Sequence, residues 1–572
     1  MRKTGVFRIR VITSIVLTLA LLLLVRLYYI QVVNNQMYVD AANRQYVHTV
    51  NNLYDRGNIF FTTKDGEQVS AATIRSGYVL AVNPSIINDA ESLYGSLAPF
   101  LSVDKDLFIE RATLPNRTYV EVENRLSDEL AEEINALNLD GVTLYKNQWR
   151  YYPGETLGAR TVGFTGLTEY NYIPTGRYGL ERYYESVLKY EEDKVAVNLF
   201  AELFGNLGDI AFQKEIQKTG DIVTTIEPTV ARVLQQTLQN TNDLWNSEVT
   251  GGVIINPKTG SIYALDAVPT FNLNDRTGVP IEDFRNPLVE DVYEFGSIIK
   301  PLTMAAGIDS GAVSRSTTYY DSGAVELDDY TIRNYDGRGR GTVDMQEVLN
   351  QSLNTGVTFI VKAMGKNRFR DYFMSLELGE LSNIDLPNET KGLVSNLNSP
   401  RDVEYATASF GQGIALTPIA AVRALSALAN GGKLITPYIA NKISYRSDGT
   451  QEVMVRSEAK DVFKAETSEE ISRMLTEVVD TALKNGQVKN DRYSVAAKTG
   501  TAQIADSING GYYDDRFLHS FFGYFPSYDP EFLIFLYTVE PKGARYASET
   551  LTDPFVELVN FLINYYEVPP DR

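Results

Sequence analysis

A serine and a lysine three residues apart stand in the largely apolar stretch YEFGSIIKPLTMAAGI, residues 293–308. On a helix such positions share a face, about 5–6 Å apart at Cβ, so the Lys300 amine can reach the Ser297 hydroxyl. A hydroxyl becomes a nucleophile when a neighbouring base takes its proton. Lysine serves as that base near neutral pH only if its pKa falls from ~10.4 towards ~7, which disfavours its charge by about 4 kcal/mol. Burial and a second nearby cation supply such a penalty. The pair therefore predicts a dry helix and a partner lysine. Histidine is a poor alternative base, since the chain has only His48 and His519. With no cysteine either, thiolate nucleophiles, disulfides, sulfur-ligated metals and His-rich metal centres are excluded.

The same S-x-x-K spacing recurs at Ser102, Ser186 and Ser457, but among charged residues, where an exposed lysine keeps its proton. Lys-Thr-Gly occurs three times, at 218–220, 258–260 and 498–500. The first lies at the turn of a polar, Gly-punctuated stretch over 205–221, which reads as a hairpin or linker. The second, in GGVIINPKTGSIYALDAV, falls between two apolar runs and reads as a β-hairpin tip with its lysine in water. The third, AAKTGTAQI, follows the strand-like YSVAA, so Lys498 is expected along an inner strand. That strand presents a cation and the Thr499 and Thr501 hydroxyls to a bound carboxylate. Gly296 and Gly500 are expected to let a ligand approach the backbone closely. Between the serine and this strand, DMQEVLNQSLNTGVTFIVKAM offers Ser352 and Asn354 at a polar bend, with Asp344 and Glu347 in capping register ahead of it.

These residues need a scaffold, and 572 residues suggest two to four domains. Hydrophobic residues at 44% and charged residues at 22% are ordinary globular values. A net charge of -20, from 73 acids against 53 bases, argues against a nucleic-acid partner. Residues 11–25 carry no charge, and with LYYIQVV beyond Arg26 the segment 11–33 is long enough to span a bilayer. Arg2, Lys3, Arg8 and Arg10 precede it and favour a cytoplasmic N-terminus with the remainder outside. No A-x-A cleavage site follows, so it reads as an uncleaved signal anchor.

From 34 to 220 short β-like runs (SGYVLAVNP, TYVEVEN) alternate with helical stretches such as LSDELAEEINALN. A boundary is expected near 221, after which TTIEP leads into a helix opened by Pro228, with Val230, Val233, Leu234 and Leu238 on one face. The late strands HSFFGYF and EFLIFLYTV and the closing helix DPFVELVNFLINYY suggest an antiparallel sheet completed by the chain's return.

S-x-x-K, a Ser/Asn element and K-T-G, in this order, form the signature of penicillin-binding proteins and class A β-lactamases. The chain as a whole resembles the class B penicillin-binding proteins, membrane-anchored peptidoglycan D,D-transpeptidases. The resemblance extends through DRGNIF, RYYPGETLGARTVGFTG, GRYGLERYYESVL, NPKTGSIYAL and SFGQGIALTPIAAVRALSALANGG. Phe295 in place of proline, Leu353 in place of a small residue, and FFTTKDG in place of a more acidic stretch depart from the family pattern. The resemblance implies an α+β architecture: a tail and transmembrane anchor (1–33), an elongated pedestal (34–220), and a transpeptidase domain (221–572) with helices around a five-stranded antiparallel sheet. It further implies Ser297 as acylated nucleophile, Lys300 as its base, Ser352 and Asn354 as proton relay and substrate-amide contact, and Lys498 as electrostatic partner. Thr499 and Thr501 are implied on the substrate carboxylate, and the N–H groups of Ser297 and Thr501 as oxyanion hole. It implies no cofactor and no metal. Its implied partners are stem peptides, β-lactams and a membrane glycan polymerase of the shape, elongation, division and sporulation family. A D,D-carboxypeptidase or β-lactamase-like hydrolase and a silent β-lactam sensor or scaffold are the alternatives.

Overall fold

The computed structural model describes residues 13, 16–23, 26, 28–29, 56–167, 174–189, 219–446, 449–454, 458–506 and 510–572. Most of the expected membrane anchor, and all but the last three residues of the expected hairpin or linker over 205–221, lie outside them. Among the described residues no helix is long and apolar enough to cross a membrane.

The chain divides into two compact units. The smaller is built on Ile74–Trp149. In it the strand ending at Val82 pairs antiparallel with Val120–Leu126. Three short helices, Ala90–Leu97, Lys105–Ala112 and Asp128–Ala136, start at Asp89, Asp104 and Ser127, whose side chains accept first-turn N–H groups. Leu80, Val82, Leu97, Phe108 and Ile134 form its core. The strands and the helix expected in this region are therefore present.

The larger unit gathers Arg56–Thr73 and Arg150–Tyr190 together with the C-terminal two-thirds of the chain. The expected boundary at 221 does not coincide with this division, and the reason is strand pairing. Ile59–Thr62 runs parallel to Gly220–Thr224, which pairs antiparallel with Ala440–Tyr445. The DRGN, RYYPG and GLERYYE segments meet over buried Glu181, which takes Arg56 Nε and Arg150 Nε on its two oxygens, each at 2.6 Å. Two guanidinium groups on one carboxylate offset the cost of burying it.

At the centre of this unit lies an all-antiparallel five-stranded sheet. Its strands are β1 (Val249–Ile255), β2 (Ile262–Val268), β3 (Ala496–Ala505), β4 (Tyr512–Phe525) and β5 (Phe532–Val539), in spatial order β3-β4-β5-β1-β2. Strands from the start and the end of the region after 221 thus build one sheet, as the sequence suggested. Lys258 sits at the exposed β1–β2 tip, where it pairs with Asp529. All eight residues of β5 are buried, as expected for a central strand covered on both faces. Helix α1 (Pro228–Trp245) buries Val230, Leu234 and Leu238. The closing helix α6 (Thr552–Tyr565) buries Phe555, Leu558, Val559 and Leu562. Four further helices of this unit are α2 (Lys300–Asp309), α3 (Met345–Asn350), α4 (Asn354–Met364) and α5 (Ala465–Glu477).

Candidate active site

Three discontinuous segments meet in one cleft of about 1210 Å³, lined by Ser297, Lys300, Ser352, Asn354, Lys498, Thr499 and Thr501 among others. Ser297 and Lys300 do not share one regular helix. Gly296–Ile299 forms a 3₁₀ turn, and α2 begins at Lys300 with Pro301 in its first turn. Proline suits that position because a first-turn N–H lacks a helical partner anyway. The turn leaves Ser297 partly exposed while Ile298, Ile299 and Lys300 are buried.

No hydrogen bond joins the Lys300 amine to Ser297. Its Nζ donates instead to Ser352, to the carbonyl oxygen at 2.5 Å and to Oγ at 3.1 Å. Among the described residues the Ser297 hydroxyl has no protein partner. Lys300 is wholly inaccessible to solvent. Burial first, and the charge of Lys498 second, hold its amine well below the ordinary lysine range. Both causes anticipated from the sequence are present.

Ser352 lies between α3 and α4, in the left-handed region at φ 54°. Asp344 caps α3 by accepting the Glu347 N–H, and the chain reverses at Ser352 before α4 starts at Asn354. That conformation strains a non-glycine residue. Here it carries the serine hydroxyl between the two lysines. Asn354 Nδ2 donates to the Arg333 carbonyl at 2.8 Å, which leaves its side-chain oxygen free to accept.

Lys498 stands on β3, the edge strand of the sheet rather than an inner one. The expectation of an inner strand fails because β3 has β4 on one side only, while its Gly500 and Thr501 approach the turn that carries Ser297. An edge leaves backbone N–H and C=O groups unpaired and available to an extended ligand. Lys498 is nonetheless 3% exposed. Its Nζ donates to Ser352 Oγ at 3.1 Å and to the Thr499 carbonyl at 3.1 Å. Burial lowers it to about 8. Thr501 Oγ1 accepts the Ala547 N–H at 3.0 Å, so its own proton is free to donate into the cleft.

The two glycines have a different reason from the one expected. A Cβ on Gly500 would stand 2.4 Å from Ser520 Oγ and 2.5 Å from the Phe295 carbonyl oxygen. Gly500 is buried and does not line the cleft, so it serves the approach of the Ser297 turn to β3. Gly296, at φ 64°, would bring a Cβ 2.7 Å from the Thr501 carbonyl oxygen.

Sequence reasoning missed Glu294. Its carboxylate accepts from Gly413 N–H at 3.1 Å and from the Tyr512 hydroxyl at 2.9 Å. These bonds tie the residues ahead of Ser297 to the 411–413 loop and to the start of β4, and no spacing rule connects positions so far apart. Also missed was the wall formed by Arg545–Ser548, held by buried His519 through Nε2 to the Arg545 carbonyl (3.2 Å) and Nδ1 to Thr550 Oγ1 (2.9 Å).

Comparison with known proteins agrees with this geometry. Residues 250–559 match the model of the penicillin binding protein transpeptidase domain. Stage V sporulation protein D of Bacillus subtilis (strain 168) is 30% identical over 93% of this chain and 81% of its own length. The peptidoglycan D,D-transpeptidase FtsI homolog of Mesostigma viride is 26% identical over 96% of this chain and 94% of its own. Penicillin Binding Protein 2X from Streptococcus thermophilus shares the fold with a TM-score of 0.71 at 21% identity, covering 90% of this chain and 81% of that one.

Proposed function

From the premise that this chain belongs to the penicillin-binding protein transpeptidase family, as a class B peptidoglycan D,D-transpeptidase, we propose that Ser297 is the residue acylated and Lys300 the base that activates it. The single observation that carries this assignment is a buried lysine amine, held well below the ordinary lysine range, whose N–H groups are spent on Ser352. A neutral amine has two N–H donors and one lone pair. With both donors engaged by Ser352, the lone pair is left for the Ser297 proton.

The reaction is two acyl transfers. Ser297 Oγ gives its proton to Lys300 and attacks the carbonyl between the terminal D-alanines of a stem peptide. The oxyanion is received by the N–H groups of Ser297 and Thr501. Ser352 Oγ accepts from both lysines, which fills its two lone pairs and leaves its own proton for the departing D-alanine nitrogen. Lys300 then returns its proton to Ser352. The substrate carboxylate lies against Thr499 and Thr501, with charged Lys498 close by. Asn354 holds a stem amide. An amine on a neighbouring stem next attacks the Ser297 ester, forming the cross-link and regenerating the serine. β-Lactams enter the same first step and remain as the acyl-enzyme.

The same reading assigns 1–33 to a single-pass anchor in a bacterial cell membrane with the catalytic unit outside, 34–220 to the pedestal, although Arg56–Thr73 and Arg150–Tyr190 of it belong to the larger compact unit, and 221–572 to the transpeptidase domain. The apolar run 11–25 behind four basic residues supports the anchor. A membrane glycan polymerase of the shape, elongation, division and sporulation family supplies the strands to be cross-linked. Labelling with fluorescent penicillin tests the core of the proposal: wild type is expected to form an adduct at Ser297 and Ser297→Ala none. An adduct at another serine, or equal labelling of both proteins, overturns it.

A further inference from the structure

The proposed function leaves open where the acceptor amine enters, and the following rests on that assignment. A substrate carboxylate at Thr499 and an oxyanion at the Thr501 N–H fix the polarity of the donor along β3. The terminal D-alanine then points towards Ala496, and the rest of the stem towards Gln503. The attacking nitrogen must occupy the position that the leaving nitrogen vacates, because aminolysis of the ester mirrors its formation. The acceptor therefore comes in over the first residues of β3.

The elements at that end are fixed by hydrogen bonds. Tyr524, opposite Ala496 across the β3–β4 ladder, shares a hydrogen bond with Ser472 on α5 at 2.8 Å. Thr476 Oγ1 donates to Ser527 Oγ at 2.8 Å, and Ser527 N–H to the Ser494 carbonyl at 3.1 Å. The C-terminal end of α5 thus runs beside the start of β3. Gln346 Nε2 donates to the Met474 carbonyl at 3.0 Å and ties α3 to the same place. Beyond α5 the chain makes a π-helical turn, Val478–Ala482, and then places Lys484 and Asn485 in the left-handed region at φ 46° and 57°. Glu347 and Asn350 of α3 and Thr481, Lys484 and Asn485 of this turn all line the cleft.

The charges at this end are unequally satisfied. Lys484 is paired with Asp553, and Glu477 with Arg315. Glu347 is partly buried, lines the cleft, and receives only the neutral Asn350 amide at 3.1 Å. Among the described residues it has no cationic partner. A carboxylate left without a cation in a partly dry wall favours an incoming positive group.

We propose that Glu347, assisted by Asn350, is the acceptor subsite, and that its carboxylate receives the side-chain ammonium of a diamino-acid residue on the neighbouring stem. The ammonium releases one proton to water to become the nucleophile. The amine nitrogen then forms its bond to the Ser297 ester carbonyl carbon as the bond to Oγ breaks. Its second proton passes through Lys300 to Oγ. Glu347 is thus a specificity residue for the second half-reaction, where the acyl-enzyme chooses between amine and water.

The test uses the full-length protein in detergent, a D-Ala-D-Ala-terminated stem peptide as donor, and two acceptors. One is Nα-acetyl-lysine amide, whose side chain is cationic at neutral pH; the other is its aminooxy analogue, which is uncharged there. Glu347→Gln is expected to raise the KM of the lysine acceptor about tenfold, with a corresponding fall in the aminolysis-to-hydrolysis ratio. The aminooxy acceptor is expected to shift less than twofold, and Glu347→Asp to recover part of the lysine preference. Equal shifts for both acceptors, an unchanged lysine KM, or a parallel fall in penicillin labelling overturns the subsite. Failure of the wild type to label at Ser297 sinks the underlying catalytic assignment instead.

Discussion

Lys300 and Lys498 converge on a single hydroxyl: each Nζ stands 3.1 Å from Ser352 Oγ. Two ammonium groups this close repel, and burial penalises both charges. Burial first and the Lys498 charge second push Lys300 well below the ordinary lysine range, and burial lowers Lys498 to about 8. Both shifts favour loss of a proton, and only Lys300 carries the second, Coulombic push.

Acylation is therefore expected to rise with pH as Lys300 loses its proton and to decline above about pH 8 as Lys498 loses its charge. Lys498→Met removes the Coulombic contribution that depresses Lys300, so the acidic limb of the rate profile moves to higher pH. Stopped-flow penicillin acylation across pH 5–10 measures both limbs. An acidic limb that stays in place in the variant would show that the two amines do not communicate.

Lys300 also weighs on stability. Its folded pKa lies below the unfolded value, so between the two the unfolded chain binds a proton that the native state does not. Stability therefore increases with pH through that window, and the burden is fully present below it. Lys300→Met is expected to abolish acylation and stabilise the protein at pH 7 by about 1 kcal/mol or more. Thermal unfolding of both proteins at pH 7 and pH 10 should show the difference shrinking at the higher pH.

Ser352 separates chemistry from backbone strain. Ser352→Ala and Ser352→Gly both delete the hydroxyl shared by the two lysines, and acylation is expected to fall about 10²–10⁴-fold in each. Glycine relieves the left-handed strain at φ 54°, so the glycine variant should be more stable than the alanine variant by about 1 kcal/mol. Equal denaturation midpoints would argue that the turn is unstrained.

Gly500→Ala places a methyl group against Ser520 Oγ and the Phe295 carbonyl. The serine can rotate away, but the backbone oxygen cannot, so the turn bearing Ser297 must shift. Overpacking of this kind costs about 1–3 kcal/mol. Acylation is expected to fall at least about 100-fold even where the variant remains folded, since an ångström of misplacement costs that much. A folded variant with wild-type acylation would count against the fit of the turn to β3.

His519 makes the site acid-sensitive. Burial lowers it to about 4 against an ordinary 6.5, so it is neutral in the native state at pH 7. As pH falls from 6.5 towards 4, only the unfolded chain gains the proton, and about 3 kcal/mol of stability is lost. His519→Gln is expected to flatten chemical-denaturation midpoints across that range. Because His519 holds Arg545 and Thr550, partial loss of penicillin labelling should precede global unfolding in the wild type.

The sequence by itself singled out the groups proposed to do chemistry, because a serine, lysines and threonines in apolar frames are legible as letters and spacings. It separated the apolar S-x-x-K from three charged copies by local hydrophobicity, and the Lys-Thr-Gly at 498–500 from the hairpin tip at 258–260 by the turn residues around the latter. It also indicated the antiparallel sheet, since strand periodicity and turn residues are local properties. Only the tertiary structure decided what depends on through-space contact. Lys300 turns to Ser352 rather than to Ser297, and β3 is an edge. Gly500 makes room for the Phe295 backbone, and Arg56 and Arg150 meet over Glu181 in the larger unit. Long-range pairings such as Glu294 with Tyr512 leave no periodicity in the chain, because their spacing is set by the packing of separate elements rather than by any repeat of the backbone.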